Sequence, residues 1–218
     1  MKYFILAALV GVIGFYYFQS VLEDEPYIEP GLESSSLKVI VYTEQGIKNG
    51  SSVVFDEDDD HYYLLTNHHV VDGYVSITLT DYLKTTYTAS IYPHSMQSIY
   101  DLAILVIEKV NELKVLKISD HYDQGDVVSA LGFPNGIYQM TYGQIEAIDK
   151  VVHEISFEVI YHSAITYKGS SGGALVNNKD EIIGINFGKI NDADVVEGYA
   201  VPGNQILEYL SIIGYGYT

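Results

Sequence analysis

Two serines stand among three glycines in TYKGSSGGAL, Thr166 to Leu175, directly before an apolar run. Glycine on either side of a serine permits a sharp, exposed turn with backbone N–H groups facing outward. Such a turn suits an activated hydroxyl beside donors for a developing oxyanion, and it also describes an ordinary flexible turn. A seryl oxygen is a weak nucleophile at neutral pH and needs an adjacent base. The usual base is a histidine whose second ring nitrogen is held by a carboxylate. Among seven histidines, His68 and His69 stand out because TNHHVVDG follows the apolar run YYLL. A strand end there would fix a histidine at the mouth of a cleft. Asp101 opens the apolar run Leu102 to Ile107. Buried alone it would be costly, and a histidine N–H would satisfy it. Each feature taken singly has a structural reading: a turn serine, a core histidine, a turn aspartate.

The elements that must position these residues read as strands. Past Ser36 the chain runs SLKVIVYT, SSVVF, HYYLLT, YVSITLT, TTYTASIYP and LAILVI, then VVSALGF, MTYGQIEAI, FEVIYHSA, ALVNN, EIIGINFG and GYAVP. Short alternating runs broken by turn residues predict an all-β fold of sandwich or barrel type. The polar stretch around Ser119 to Asp126 splits the runs into two groups, predicting one barrel over about residues 36–115 and another over about 124–205. Only NQILEYLSII reads as a helix, closing the domain over about 204–213. DEDDDH, Asp56 to His61, has alternate carboxylates but lacks the glycine and distal glutamate of a calcium loop, so it reads as a solvated hairpin turn.

Composition narrows the function. There are 29 acidic residues against 11 basic ones, none of them arginine, for a net charge of −18. That balance excludes a nucleic-acid partner, whose phosphates would be repelled, and docking on anionic lipid. The absence of cysteine excludes disulfides, thiol catalysis and cysteine-bound zinc. His68 with His69 makes a poor metal pair, since adjacent strand residues point to opposite faces. No metal or other cofactor is expected. At the N-terminus, Lys2 precedes twenty uncharged residues, Tyr3 to Leu22, enough to cross a bilayer as a helix. The run is long for a signal-peptide core and no A-x-A site stands near Gln19-Ser20, so residues 1–22 read as a signal-anchor ahead of a cleaved signal peptide. The lysine distribution puts the domain outside the cytoplasm. Residues 23–35, acidic and carrying Pro26 and Pro30, read as an extended linker.

Together the three segments resemble the trypsin-like (chymotrypsin-fold) serine proteases, above all their high-temperature-requirement, or Deg, branch. TNHHVV is similar to that branch's T-N-x-H-V-V motif, DLAIL to its D-[IL]-A-[LIV]-[LIV] motif, and GSSGGAL to its G-[NDS]-S-G-G-[AP]-L motif, in the same order along the chain. ALGFPNG and GYAVPGNQILEYL are also similar, so the resemblance covers nearly all of 36–213. It implies two six-stranded antiparallel barrels and a serine endopeptidase acting on protein or peptide substrates. It assigns His69, not His68, as base, Asp101 as its carboxylate and Ser171 as nucleophile. The oxyanion hole falls to the N–H groups of Gly169 and Ser171 with Ser170 between them. The substrate pocket falls to Ile165 as floor, six residues before the nucleophile, with Asn186, Phe187 and Gly188 as a wall. An apolar floor implies a small or medium aliphatic residue before the scissile bond. Lys168 stands where that branch often has proline, which implies a looser loop. The sequence ends at Thr218 without a PDZ domain. Trimers occur in the branch, and nothing in the sequence fixes the oligomeric state. A catalytically idle peptide-binding or scaffold module is the rival reading.

Overall fold

Strand β1 (Ser36–Thr43) buries Leu37, Val39 and Val41 on one face of SLKVIVYT, the period-two pattern of a half-buried strand. Five more strands follow, β2 (Gly46–Glu57), β3 (His61–Thr66), β4 (Tyr74–Thr80), β5 (Thr86–Ile91) and β6 (Ala103–Glu108); β2 buries Gly50 to Phe55 without alternation because Val54 faces one core and Val53 and Phe55 another. These strands close antiparallel in the order β1-β2-β3-β6-β5-β4. The computed structural model of the chain describes residues 31–151, 157–190 and 196–217. The expected membrane-spanning segment 1–22 and residues 23–30 of the linker lie outside them.

A second closed barrel follows: β7 (Val127–Gly132), β8 (Gln139–Val151), β9 (Glu158–Thr166), β10 (Ala174–Val176), β11 (Ile182–Ile190) and β12 (Val196–Pro202), in the order β10-β11-β12-β9-β8-β7. The fold is therefore all-β with two six-stranded antiparallel barrels, as the sequence predicts. Each barrel has its own core, Leu64, Ile77 and Leu105 in the first, Ile160, Leu175 and Ile183 in the second. A third apolar cluster joins them. Val53, Phe55, Leu65 and Ile104 from barrel one pack with Leu131, Val176, Ile185 and Val201 from barrel two. The junction is thus as dry as either interior, and closing barrels leaves no sheet edge exposed.

Helix α2, Gly203–Ile212, seals the second barrel with buried Ile206, Tyr209 and Leu210. Tyr209 is wholly buried, and its hydroxyl donates to the Ser95 carbonyl of barrel one at 2.6 Å. The C-terminal residues continue this cross-bracing, with Tyr215 Oη donating to Asp56 at 2.9 Å and Ile118 N–H donating to Tyr217 Oη at 2.8 Å.

Three expectations need correction. Leu32–Ser35 is not an extended tether but a 3₁₀ turn with Ser34 and Ser35 buried, each hydroxyl donating to the carbonyl three residues back. Strand β2 starts at Gly46, not near Ser51, because main-chain pairing with β1 carries the polar stretch GIKNG into the sheet. His68 and His69 do not extend a strand; they open a helical turn, α1 (His68–Val71). In the β2–β3 hairpin, Asp58 accepts from the N–H groups of Asp60 and His61 and from Tyr63 Oη. Those bonds, led by the one from Tyr63, pull the Asp58 carboxyl down to about 2. Its oxygens serve the turn.

Tyr209→Phe strips the hydrogen bond from a buried carbonyl and should lower unfolding free energy by about 1–2 kcal/mol, read as a shifted urea midpoint. An unshifted midpoint would mean that the closing helix is held by apolar packing alone.

Candidate active site

Register sets the barrel-one side. Thr66 of β3 pairs with Ala103 of β6, so the end of one strand lies beside the start of the other. Three residues past Thr66 comes His69; two before Ala103 comes Asp101. Asp101 adopts φ +51°, a left-handed conformation uncommon for residues other than glycine, which turns its side chain back toward α1. Its Oδ1 accepts the His69 backbone N–H at 2.9 Å, and its Oδ2 lies 2.8 Å from His69 Nδ1. A carboxylate only accepts, so Nδ1 carries a proton, and in the neutral imidazole Nε2 is then the acceptor. The Asp101 side chain is 14% exposed and that of His69 51%, which keeps the pair partly dry while the imidazole faces solvent. Asn67 Nδ2 donates to the Asp101 carbonyl at 3.0 Å and steadies the same corner.

The barrel-two side is the loop entering β10. A turn closes from Ser170 N–H to the Tyr167 carbonyl at 2.9 Å, with Gly169 in its third position at φ +102°. That φ is the reason for glycine there, as in any type II turn. The Lys168 carbonyl accepts from Asn135 N–H at 3.4 Å. In a trans peptide the N–H points opposite the carbonyl, so Gly169 N–H is directed away from Asn135. Among the described residues neither Gly169 N–H nor Ser171 N–H donates a hydrogen bond, leaving two free donors two residues apart. Ser170 differs from expectation. Its N–H is spent on Tyr167 and its Oγ accepts from Tyr167 N–H at 3.2 Å, so it shapes the loop rather than offering a third donor. With Lys168 in its second position, this loop is tied by those bonds and by Gly173 N–H to the Ser170 carbonyl at 3.0 Å.

One residue that the sequence did not flag joins the two sides. Ser51 of β2 donates through Oγ to the Gly169 carbonyl at 2.7 Å and accepts there from Phe133 N–H at 2.8 Å. Its N–H donates to the Ser171 carbonyl at 2.8 Å, and its own carbonyl accepts from Thr66 Oγ1 at 2.8 Å. A Cβ at Gly172, which has φ +87°, would overlap that Ser51 carbonyl. The hint in the sequence is a pair of serines directly before the apolar run VVF, Ser51 and Ser52, which the structure buries fully.

His69 and Ser171 line one cleft of about 810 Å³ between the barrels, with Gly169, Asn186, Phe187 and Gly188. Among the described residues no hydrogen bond joins Ser171 Oγ to His69; such bonds commonly tighten only when substrate arrives. Ile165 is the clear misplacement. It is 54% exposed and absent from the cleft lining, where Thr166 and Tyr167 stand instead. Strand alternation explains it: in β9 the even residues Ala164 and Thr166 face inward and Ile165 faces out. The inference of an aliphatic preference from that residue therefore falls.

Behind Asn186 sits His162, 2% exposed. Asn186 Nδ2 donates to the Ala174 carbonyl at 2.8 Å, which orients its Oδ1 to accept from His162 Nε2 at 3.2 Å. Burial pushes the imidazole down to about 4, so it stays neutral at physiological pH.

A trypsin-like peptidase domain profile matches residues 50–185. The chain belongs to the trypsin-like peptidase family. Within that family it is similar to the Do-like protease HtrA of Bacillus subtilis strain 168, 35% identical over 176 residues, 75% of this chain and 38% of the relative. It is also similar to a probable periplasmic serine endoprotease, DegP-like, of Buchnera aphidicola subsp. Schizaphis graminum, 34% identical over 149 residues, 63% of this chain and 30% of the relative. Among solved structures, the HtrA-type protease AlgW with tripeptide superposes with a TM-score of 0.73 at 26% identity, covering 85% of this chain and 62% of that one. The chain thus spans well under half the length of these two curated relatives.

Ser51→Ala should leave the Gly169 carbonyl and Phe133 N–H unpaired in a buried position, costing about 1–3 kcal/mol for each. Urea unfolding should register that loss; an unchanged midpoint would contradict the bridging role. His162 supplies a pH test. Its folded value of about 4 lies below the ordinary 6.5, so between those values the unfolded chain binds more protons and stability falls as pH drops. Across that window this component is worth about 3 kcal/mol at 1.36 kcal/mol per pH unit. His162→Gln should flatten the dependence of Tm on pH between about 6.5 and 4; a slope equal to that of the parent protein would refute it.

Proposed function

We propose that residues 36–213 act as a serine endopeptidase, with His69, Asp101 and Ser171 as a single catalytic unit. The observation that carries this reading is the double contact of the Asp101 carboxylate with His69, which puts a ring proton on Nδ1 and reserves Nε2 of the neutral imidazole as the acceptor in the cleft that His69 and Ser171 both line. Ser171 Oγ attacks a peptide carbonyl carbon as its proton passes to His69 Nε2. Asp101 holds the tautomer and stabilises the imidazolium. The tetrahedral oxyanion takes hydrogen bonds from the N–H groups of Gly169 and Ser171, each donor lowering the barrier by roughly 2.7–4 kcal/mol. The imidazolium then protonates the leaving amine, and water, deprotonated by His69, releases the acyl group from Ser171. Thr166, Asn186, Phe187 and Gly188 form the pocket for the residue before the scissile bond.

The domain is organised as barrel one over about 36–115, barrel two over about 124–205 and a closing helix over about 204–213, preceded by a linker. Residues 1–22 anchor it in the cell membrane with the protease domain outside the cytoplasm. The uncharged run Tyr3 to Leu22 supports the anchor, and the relative named as a probable periplasmic endoprotease supports the placement outside the cytoplasm. Among the described residues no helix is long and apolar enough to cross a membrane.

Fluorophosphonate labelling tests the catalytic reading. The wild-type chain should label, while Ser171→Ala should not and Asp101→Asn should label on the order of 10⁴-fold more slowly, through loss of the reactive tautomer. Folded wild-type protein that fails to label would favour the rival reading, a catalytically idle peptide-binding module.

A further inference from the structure

The cleft is basic in an acidic protein. Three of the 11 basic residues, Lys38, Lys48 and Lys168, line it, and no aspartate or glutamate does among the described residues. Elsewhere Lys109 and Lys114 are neutralised by Glu57 at 2.9 Å and Asp180 at 2.7 Å. None of the three cleft lysines forms an ion pair with a carboxylate among the described residues. Lys48 is held in place by donating to the carbonyls of His69 at 3.2 Å and Asp72 at 2.8 Å, at the C-terminal end of α1, which fixes a positive charge beside the proposed base. The Lys38 ammonium lies against Gly136, next to Asn135, whose N–H holds the Lys168 carbonyl. Lys38 and the backbone of Lys168 therefore meet at the Asn135–Gly136 turn, and Lys48 lies beside His69; these two places mark one edge of the cleft.

That edge has a definite side. The loop bearing Ser171 leads into β10, which lies between β11 and β7 in the barrel order. Asn186 to Gly188, on β11, flank it on one side. The turn Pro134–Gly136, which follows β7, and the lysine-bearing strands β1 and β2 flank it on the other. With the residue before the scissile bond on the β11 side, the lysines face the residues that follow the bond.

Resting on the endopeptidase reading above, we propose that this cleft selects peptides with acidic side chains just after the scissile bond. A surface with a net charge of −18 repels such peptides at long range, so the lysine edge is what makes them acceptable substrates and sets where they are cut. Each exposed charge pair changes binding by up to about 5-fold, and the contribution is screened by salt.

The test uses the full chain in detergent, with fluorophosphonate labelling run first on the same preparation. A proteome-derived peptide library is then digested, with Ser171→Ala as blank, and a cleaved peptide is remade with Glu or Gln at the second position after the cut. Cleavage sites should be enriched in Asp and Glu over Asn and Gln in that segment. The Glu peptide should have a kcat/KM about 5-fold above its Gln twin. The ratio should fall toward one in about 1 M salt, where the Debye length is about 3 Å. In Lys38→Gln/Lys168→Gln the ratio should also collapse. Labelled enzyme with no acidic enrichment, or with a ratio of one at low salt, overturns the selectivity and leaves the endopeptidase standing. Equal slowing of both peptides in the lysine variant also overturns it, since the lysines would then act on the oxyanion alone. Failure to label and to cleave removes the endopeptidase reading and this proposal together.

Discussion

A site divided between two barrels needs a physical tie across the division, and here the tie is Ser51. Its hydroxyl, N–H and carbonyl are all spent within hydrogen-bonding distance: on the Gly169 carbonyl and Phe133 N–H, on the Ser171 carbonyl, and on Thr66 at the end of the strand that leads to His69. Each of these groups is buried or in the loop it holds, and an unpaired buried donor or acceptor costs more than its bond contributes. The geometry of the nucleophile loop is therefore set by barrel one, although the loop belongs to barrel two. The apolar cluster shared by both barrels keeps that junction dry, and a dry junction strengthens each of these polar contacts.

Backbone conformations that chains usually avoid occur at this junction for a reason. Asp101 at φ +51° brings both carboxylate oxygens onto His69, and Gly169 at φ +102° turns its N–H away from Asn135. Such conformations persist where surrounding bonds over-determine them. On the Asp101 side those bonds are the paired ends of β3 and β6 and the Asn67 contact. On the Gly169 side they are the turn to Tyr167 and the Ser51 bridge. The protein's charge is arranged on the same plan: carboxylates dominate the sequence, while among the described residues the cleft is lined by lysines and by no aspartate or glutamate. Family membership and the fold stand independently of that arrangement, which is a property of this chain's own side chains.

Much of this was legible in the sequence, and the gaps have physical causes. Every strand run named has a counterpart in the two barrels, because a buried face leaves a period of two in the residues, as in β1, and a strand covered on both faces leaves a short continuous apolar run, as in β10. The start of β2 was missed because main-chain hydrogen bonds to β1, which leave no side-chain pattern, hold Gly46 to Gly50 in the sheet. Those same residues carry Lys48 to the cleft. The meeting of His69 and Asp101 follows from the β3–β6 register, which no local pattern encodes. Ile165 was placed in the pocket by counting back from Ser171. A count of residues ignores which face a strand residue takes, and one step along β9 moved it out into solvent. Ser51 escaped notice because a buried serine is defined by partners far away in sequence, here 82 and 118 residues distant.

The most direct test is a crystal structure of the chain with a phosphonyl group on Ser171. The phosphonyl oxygen should lie about 2.7–3.1 Å from the N–H groups of both Gly169 and Ser171, with Ser51 still bonded to the Gly169 carbonyl. A Lys168–Gly169 peptide turned over, the Lys168 carbonyl facing the phosphonyl oxygen and its bond from Asn135 N–H broken, would contradict the account.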